Sequence, residues 1–117
     1  MKIALRDDIL SISEIEELGE GNSESFRDRV QAALPASALK AIEIDLAQTE
    51  FVDSCGLAAL IAIHKSAASH NGNGDGSGHE NANGDGSVPV RLLNPPPPVQ
   101  QILELTRLHR TFEIVKR

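Results

Sequence analysis

Residues 51–57, Phe-Val-Asp-Ser-Cys-Gly-Leu, join an apolar strand to the start of a helix. Before this junction, residues 41–46 (Ala-Ile-Glu-Ile-Asp-Leu) alternate apolar and acidic side chains, which predicts a strand with one buried face. After it, one helical face is predicted to carry Leu57, Leu60, Ile61, His64, Lys65 and Ala68. The pattern therefore predicts a strand, a short junction and a helix from about Cys55 to Ser69.

The junction places short polar side chains at the start of this helix. Asp53 or Ser54 can cap it, because a side-chain oxygen there accepts a hydrogen bond from an otherwise unpaired amide of the first turn. The same amides and the positive end of the helix dipole would stabilise an anion, above all a phosphate. The Ser54 hydroxyl is therefore a candidate regulatory site.

The length and net charge of the chain limit its number of domains and its possible partners. The chain has 117 residues, 40% of them hydrophobic, and a formal net charge of -6, and this length predicts one domain over residues 1–117. Residues 1–50 hold eleven Asp and Glu against five Lys and Arg, whereas residues 51–117 hold six of each class. The acidic half would repel nucleic-acid phosphates and anionic lipid headgroups. We therefore expect no nucleic-acid partner, and a protein with a basic patch fits better.

Cysteine and aromatic content narrow the function further. Cys55 is the single cysteine, so it can form no internal disulfide and cannot by itself build a four-ligand zinc site. Three Phe and no Trp or Tyr leave no aromatic platform for stacking bases. No stretch approaches the roughly 20 apolar residues that span a bilayer, and residues 1–8 lack the features of a signal peptide. We therefore expect a cytoplasmic protein without direct membrane insertion.

The N-terminal part of the sequence predicts a hairpin followed by a helix. Two strands and a tight turn come first, at Lys2–Arg6, Asp7-Asp8 and Ile9–Ile15. A helix is predicted over about Ser23–Leu34, with Asn22 as its N-cap and Pro35 ending it. Its inner face would carry Phe26, Val30, Ala33 and Leu34.

The C-terminal part completes an alternating pattern. A strand is predicted at Val88–Leu93, a helix at about Val99–Leu108 after four prolines, and a closing strand at Phe112–Val115. The inner face of that helix would carry Ile102, Leu105 and Leu108. The order β-β-α-β-α-β-α-β predicts an α/β fold, a mixed sheet of four to five strands with helices packed against it.

A Gly-, Asn- and Asp-rich segment interrupts this pattern at residues 70–87. It contains no large apolar side chain, so it cannot bury enough surface to offset the entropy lost on ordering, and we expect a flexible insertion. Its pentapeptide Asn-Gly-Asp-Gly-Ser at 73–77 recurs at 83–87. Residues 71–77 resemble the front of a calcium loop, but Ala82 stands where a bidentate Glu is needed, so we expect no calcium site.

Two stretches carry a family resemblance. Residues 42–46, 51–57 and 60–65 resemble the core of the STAS domain, the fold of anti-sigma factor antagonists and of the cytoplasmic tails of sulfate transporters. Residues 90–95, 99–108 and 112–115 are similar to the C-terminal third of that family. The sequence Asp-Ser-x-Gly-Leu between a strand and a helix is the most specific part of the resemblance.

The resemblance implies a regulatory protein-binding module. In antagonists of this family, the Ser directly after the Asp is phosphorylated by a cognate anti-sigma factor with serine kinase activity. The unphosphorylated form binds that factor and frees the sigma factor. The phosphorylated residue corresponds to Ser54, and the implied partner-binding residues are Asp53, Ser54, Cys55, Gly56 and Leu57. The alternative is a non-switching STAS subunit of a phospholipid-type ABC transporter, which would bind the transporter ATPase.

The sequence departs from the family pattern in three places. Where the family often has Gly-x-Leu-Asp before the first helix, residues 16–19 are Glu-Glu-Leu-Gly, so the acid is missing. Cys55 follows the phosphorylation site, where Ser or Thr is frequent, and it has a weaker hydrogen-bonding capacity. The insertion at 70–87 has no counterpart in compact members.

Simpler interpretations stay open at individual residues. Ser54 could act only as an N-cap, and Cys55 fits a small packing residue better than a redox-sensitive thiol. His64 fits a partly buried histidine better than a metal ligand. An N-terminal acidic cluster is either a solvated face or a patch that steers a basic partner: Glu14, Glu16, Glu17, Glu20 and Glu24. No catalytic triad, phosphate loop or metal triad stands out, so we expect no enzyme activity and no cofactor.

Overall fold

A computed structural model describes residues 1–34, 39–70 and 88–116, with the side chains of 68–70 left out. The strands are β1 (Lys2–Arg6), β2 (Ile9–Ser13), β3 (Glu17–Leu18), β4 (Ala41–Asp45), β5 (Phe51–Val52), β6 (Val90–Leu93) and β7 (Glu113–Val115). The helices are α1 (Ser23–Ala33), α2 (Ser54–His70) and α3 (Pro97–Leu105), and a 3-10 turn follows at Leu108–Arg110. Pro35 and all but the first residue of the predicted insertion at 70–87 lie outside the described residues.

The described strands form one mixed sheet and one small strand pair. The sheet has the order β1-β2-β4-β6-β7, with β1 and β2 antiparallel and the other neighbours parallel. This confirms the predicted α/β fold with a sheet of up to five strands. The additional parallel pair β3-β5 was not predicted.

The predicted hairpin is confirmed, and its turn has an identifiable cause. Asp7 and Asp8 both lie in the left-handed region, with φ of 52° and 65°, as a two-residue hairpin turn requires. Short polar side chains tolerate this conformation better than other non-glycine residues. β2 ends at Ser13, earlier than predicted, because Glu14 also has a positive φ of 59° and breaks the extended backbone.

Cross-strand register separates an apolar row from a polar row. Ile12, Ile44, Leu92 and Ile114 pair across four neighbouring strands, and the first three are fully buried. On alternate positions, Ser11, Glu43, Arg91 and Glu113 pair across the same strands. The sheet therefore turns one face towards the core under the helices and carries a polar row on alternate positions.

The expectation that β4 buries only one face is wrong. Glu43 lies on the polar row, yet it is only 9% exposed, because β4 is a central strand with neighbours on both sides. Arg91 donates to a Glu43 carboxylate oxygen at 3.1 Å and to Glu113 at 3.3 Å. Alternation thus identifies the core face correctly but does not show that the acidic face is exposed.

Two predicted helix faces also need correction. The buried side chains of α2 are Ala59, Leu60, Ile63 and Ala67, whereas Lys65 is exposed and Leu57, Ile61 and His64 are half-buried. Apolar residues surround much of this helix, so the sequence defines its orientation poorly. The side chain of Ala68 lies outside the described part.

In α3, Val99 and Leu103 form the buried stripe, and Ile102 and Leu108 are half-buried. Leu105 is 76% exposed, so its assignment to the inner face is wrong. The helix ends there and Arg107 has a φ of 63°, which takes Leu108 out of helical register with Leu105. No helix within residues 1–34, 39–70 and 88–116 is long and apolar enough to cross a membrane.

Removing the arginine of the polar row should destabilise the fold. We expect Arg91→Met to lower the free energy of unfolding by about 2 kcal/mol, because it leaves the Glu43 charge buried without this partner. The double variant Arg91→Met/Glu43→Leu should recover most of the loss, and Glu113→Gln, at the exposed end, should change it by less than about 0.5 kcal/mol. Urea unfolding measures all three, and an Arg91→Met protein as stable as wild type would contradict this account.

Candidate functional site

The two-residue strands β3 and β5 build the site. They pair Glu17 with Phe51 and Leu18 with Val52 in parallel register. Backbone hydrogen bonds extend the pairing on both sides, from the Glu50 amide to the Glu16 carbonyl at 2.8 Å and from the Asp53 amide to the Leu18 carbonyl at 3.2 Å. Each strand leads into a helix, β3 into α1 and β5 into α2. The pair therefore holds the chain segments that precede these two helices side by side.

Asp53 ties these two segments together. Its Oδ1 accepts a hydrogen bond from the Gly56 amide at 3.0 Å, which caps α2, and its Oδ2 accepts one from the Glu20 amide at 3.1 Å. The Asp53 carbonyl accepts the first helical bond, from the Leu57 amide at 2.9 Å. Of the two capping candidates, Asp53 is thus the residue that caps α2. One carboxylate fixes both the start of α2 and the loop that follows β3.

The same hydrogen bonds keep this carboxylate ionised. The Gly56 amide lowers the pKa of Asp53 below its ordinary value, and this effect together with that of the Glu20 amide outweighs the opposing effect of desolvation. A negative charge therefore remains beside the N-terminus of α2, where the helix dipole stabilises it.

Two glycines of the site are closely surrounded, Gly56 by backbone and Gly19 by side chains. A Cβ at Gly56 would overlap the Leu18 carbonyl oxygen and lie 2.8 Å from its carbon. A Cβ at Gly19 would lie 2.8 Å from Asp53 Oδ2 and 3.1 Å from Phe51 Cε2. Gly19 occupies the position of the acid that the family resemblance leads one to expect, and a side chain there would displace the Asp53 carboxylate or the Phe51 ring.

Asn22 stabilises the loop in an unexpected way. It directly precedes α1 as predicted, but its side chain makes no capping hydrogen bond to that helix. Its Oδ1 accepts from the Gly19 amide at 2.8 Å, and its Nδ2 donates to the Glu17 carbonyl at 2.8 Å. The Gly19 carbonyl in turn accepts from the Ser23 amide at 2.8 Å. The predicted role of Asn22 as a side-chain cap is therefore corrected to that of a loop clamp.

The predicted site residues differ in how accessible they are. Ser54 and Cys55 are exposed in the first turn of α2, and Leu57 is half-buried. Within the part of the chain that the structure describes, the Ser54 hydroxyl has no hydrogen-bond partner. Gly56 is buried. The expectation that Cys55 is a packing residue is wrong, since its thiol is free and exposed.

His64 lies apart from this site and is partly buried, as predicted. Its ring packs edge-to-face on Phe112, with 5.4 Å between ring centroids and 75° between ring planes. Burial lowers the pKa of His64 because the charged imidazolium would lose hydration. No group of three or more potential metal ligands occurs within the described residues.

Comparisons with known proteins agree with this architecture. The family model of the STAS domain matches residues 1–73, so the chain belongs to the STAS domain family. No curated protein matches the chain significantly.

Three solved structures share the fold. A proposed anti-sigma factor antagonist of Thermotoga maritima superposes with a TM-score of 0.73 at 21% identity, covering 99% of this chain and 86% of that one. The anti-sigma factor antagonist SpoIIAA in its unphosphorylated form gives 0.54 at 15% identity, covering 94% and 96%. Murine solute carrier 26 family member A9, an anion transporter, gives 0.56 at 21% identity, covering 90% of this chain and 14% of that one.

The sequence analysis did not predict that the loop after β3 forms part of the site. The Glu20 amide and the bare backbone of Gly19 complete the surroundings of Asp53, yet neither belongs to the predicted residue set. The sequence carried one sign of this contact, namely that the acid expected from the family pattern is missing at residue 19. Its absence indicates that the loop has a different neighbour there. The contact between residues 20 and 53 depends on β3, which is too short to leave a periodic pattern.

The close approach of Gly56 to β3 gives a matched pair of variants. We expect Gly56→Ala to lower the free energy of unfolding by about 2 kcal/mol, because a backbone carbonyl cannot rotate away from the new methyl group. This loss exceeds the gain of about 1 kcal/mol that alanine brings inside a helix. Gly21→Ala is the control, since nothing lies within 4 Å of its Cβ, and it should change stability by less than about 0.5 kcal/mol. Equal urea midpoints for the two variants would contradict the packing described here.

The lowered pKa of Asp53 gives a pH-dependent prediction. The ionised carboxylate stabilises the folded state, so its contribution is complete above the unfolded pKa of about 4 and is lost as the pH falls through the folded value. Asp53→Asn keeps an acceptor oxygen but removes this titration. Its stability should therefore fall less between pH 5 and pH 3 than that of wild type, in urea titrations at each pH. Asp28→Asn, at an exposed position on α1, is the control, and identical acid profiles for wild type and Asp53→Asn would refute the assignment.

Proposed function

We propose that the protein is an anti-sigma factor antagonist in a partner-switching pathway, controlled by phosphorylation of Ser54. The observation that carries the proposal is the exposed Ser54 hydroxyl, which directly follows the capping Asp53 in a STAS chain. The anti-sigma factor antagonists among the structural neighbours support the same class. In this proposal the chain acts in the cytoplasm as a regulatory binding module without catalysis of its own.

The geometry suits a phosphate acceptor. A kinase needs a hydroxyl that it can reach and that has no competing hydrogen bond, and Ser54 meets both conditions within the described residues. The residue sits on a fixed backbone, because the preceding Asp53 accepts hydrogen bonds from the Gly56 amide in the first turn of α2 and from the Glu20 amide of the neighbouring loop. A serine held in this way enters a kinase active site without first paying the entropy of ordering.

Phosphorylation would block binding and leave the fold intact. A phosphoserine adds roughly -1.5 to -2 charges near neutral pH, and those charges resist the loss of water that a close interface requires. The ionised Asp53 beside it repels the phosphate locally, while the remaining amides of the first turn of α2 attract it. Ser54 is exposed, so the added group displaces no core side chain. The partner is released while the sheet and helices persist.

The partner surface follows from the same geometry. Ser54 and Cys55 face solvent, and Asp53 and Leu57 are partly accessible, so these four residues can contact an anti-sigma factor. Gly56 contributes indirectly, because it lets α2 start close against Leu18. The partner in this proposal is an anti-sigma factor with serine kinase activity.

The direct test is phosphate mapping. The protein is incubated with an anti-sigma factor kinase from the same genome and Mg-ATP, and modified peptides are identified by mass spectrometry. We expect one phosphate on Ser54 and none in Ser54→Ala. Ser23→Ala is the matched control, because Ser23 occupies the first position of α1 in the same way, and it should be phosphorylated like wild type. Phosphate at another residue, or none, would contradict the proposal.

A second candidate is a non-switching subunit bound to a transporter ATPase. Its support is the structural likeness to part of an anion transporter, which places the same fold in a transport protein. Binding of Ser54→Asp separates the two functions. A partner-switching antagonist should lose at least tenfold in affinity for the anti-sigma factor, whereas a transporter subunit should remain assembled with its ATPase.

A further inference from the structure

An aromatic ring lies exposed beside the phosphorylation site. Phe51 is 52% exposed, whereas the other two phenylalanines, Phe26 and Phe112, are each 3% exposed. It precedes the capping Asp53 by two positions and pairs with Glu17 in the β3-β5 strand pair. The ring is therefore anchored at its backbone while about half of its surface remains available.

The backbone at residue 19 supports this ring, because no side chain separates the two. Phe51 Cε2 would lie 3.1 Å from a Cβ built on Gly19, so the ring edge rests over bare backbone. The Asn22 side chain and the Glu20 amide fix that backbone from two sides. An aromatic ring that is already held in place loses little conformational entropy when it binds in a pocket of a partner protein. Interface residues that determine affinity have this property.

Four exposed glutamates lie close to Phe51 along the chain or across the strand pair. Glu17 is the strand partner of Phe51, Glu50 precedes it, Glu16 accepts the Glu50 amide, and Glu20 follows the bare backbone of the loop. All four side chains are exposed. Within the described residues, none of the four forms an ion pair. The strand pair that carries the ring is thus rich in carboxylates without a close ion-pair partner, although Arg29 lines the same pocket as Glu16 and Glu17.

We propose that Phe51 is the anchor of the partner interface and that it inserts into an apolar pocket edged by Lys or Arg side chains. The inference rests on the proposed function, since it takes the anti-sigma factor kinase as the partner, and it names how that partner is recognised. Charge complementarity selects the occupant. An anionic membrane or a nucleic acid would be repelled by the four carboxylates, whereas a protein with a basic rim is attracted to them and an apolar pocket covers the ring.

The proposal separates two roles within one interface. The ring provides contact area, and the carboxylates speed the encounter. Ser54 controls whether the surfaces can close over the start of α2. Affinity should therefore depend strongly on Phe51, while the association rate should depend on salt and on the Glu side chains.

The test measures binding of the full chain to the purified anti-sigma factor kinase without nucleotide, by surface plasmon resonance. We expect Phe51→Ala to weaken binding on the order of 30-fold, as for an aromatic residue at the centre of an interface. Phe51→Leu should retain most of the affinity, and both variants should melt within a few degrees of wild type. Leu5→Ala is the matched control, because Leu5 is 47% exposed on β1, and it should bind like wild type.

A separate variant tests the proposed role of the carboxylates in association. Glu50→Lys should slow association severalfold and reduce its salt dependence, with little change in dissociation. Glu104→Lys, on the exposed side of α3, should leave the rate unchanged. Wild-type affinity in folded Phe51→Ala, or salt-independent association of wild type, would overturn the inference.

The outcomes distinguish the inference from the function on which it rests. If Phe51→Ala loses binding and Ser54→Asp binds like wild type, the result supports Phe51 as the anchor and contradicts the phosphorylation switch. If Ser54→Asp loses binding and Phe51→Ala does not, the switch stands and the anchor fails. Absence of binding by wild-type protein to the kinase overturns both. Loss of self-association in Phe51→Ala without loss of kinase binding would assign the ring to a second copy of the chain and overturn the inference.

Discussion

The two hydrogen bonds of the Asp53 carboxylate are the constraint on which the site depends. One oxygen caps α2 through the Gly56 amide and the other holds the loop after β3 through the Glu20 amide. Because a carboxylate that accepts amide hydrogen bonds stays ionised, this connection persists near neutral pH. Ser54 and Phe51 flank Asp53 in sequence, so the same connection fixes both the proposed switch and the proposed anchor.

Close backbone packing makes this connection possible. Gly56 lets the first turn of α2 approach the Leu18 carbonyl, and Gly19 leaves room for the Asp53 carboxylate and the Phe51 ring. In this chain, an acid at residue 19 would place a second carboxylate near Asp53 and would force the Asp53 or Phe51 side chain to move. At this position the loop thus offers backbone amides and an aromatic edge in place of the acid that the resemblance predicts.

Strong local signals in the sequence predicted the strands of the main sheet and the three helices close to their observed positions, but not the β3-β5 pair or the tertiary contacts. The hairpin turn and the start of α2 at Asp53 each follow from side chains that act on their own backbone, whereas Asn22 precedes α1 without capping it. Burial of Glu43 depends on a central strand and on Arg91, which is distant in sequence. Exposure of Leu105 depends on where α3 ends, and the pairing of β3 with β5 involves too few residues to leave a period. These features are decided by the assembled fold.

In the proposed switch, phosphate on Ser54 changes the surface and leaves the fold intact. Amide hydrogen exchange of the Ser54-phosphorylated protein tests it most directly, with the unmodified protein as reference. The account predicts unchanged protection in β4 and β6 and changes confined to the first turn of α2 and the loop around Glu20. Loss of protection throughout the central strands would show that phosphorylation unfolds the domain and would contradict the account.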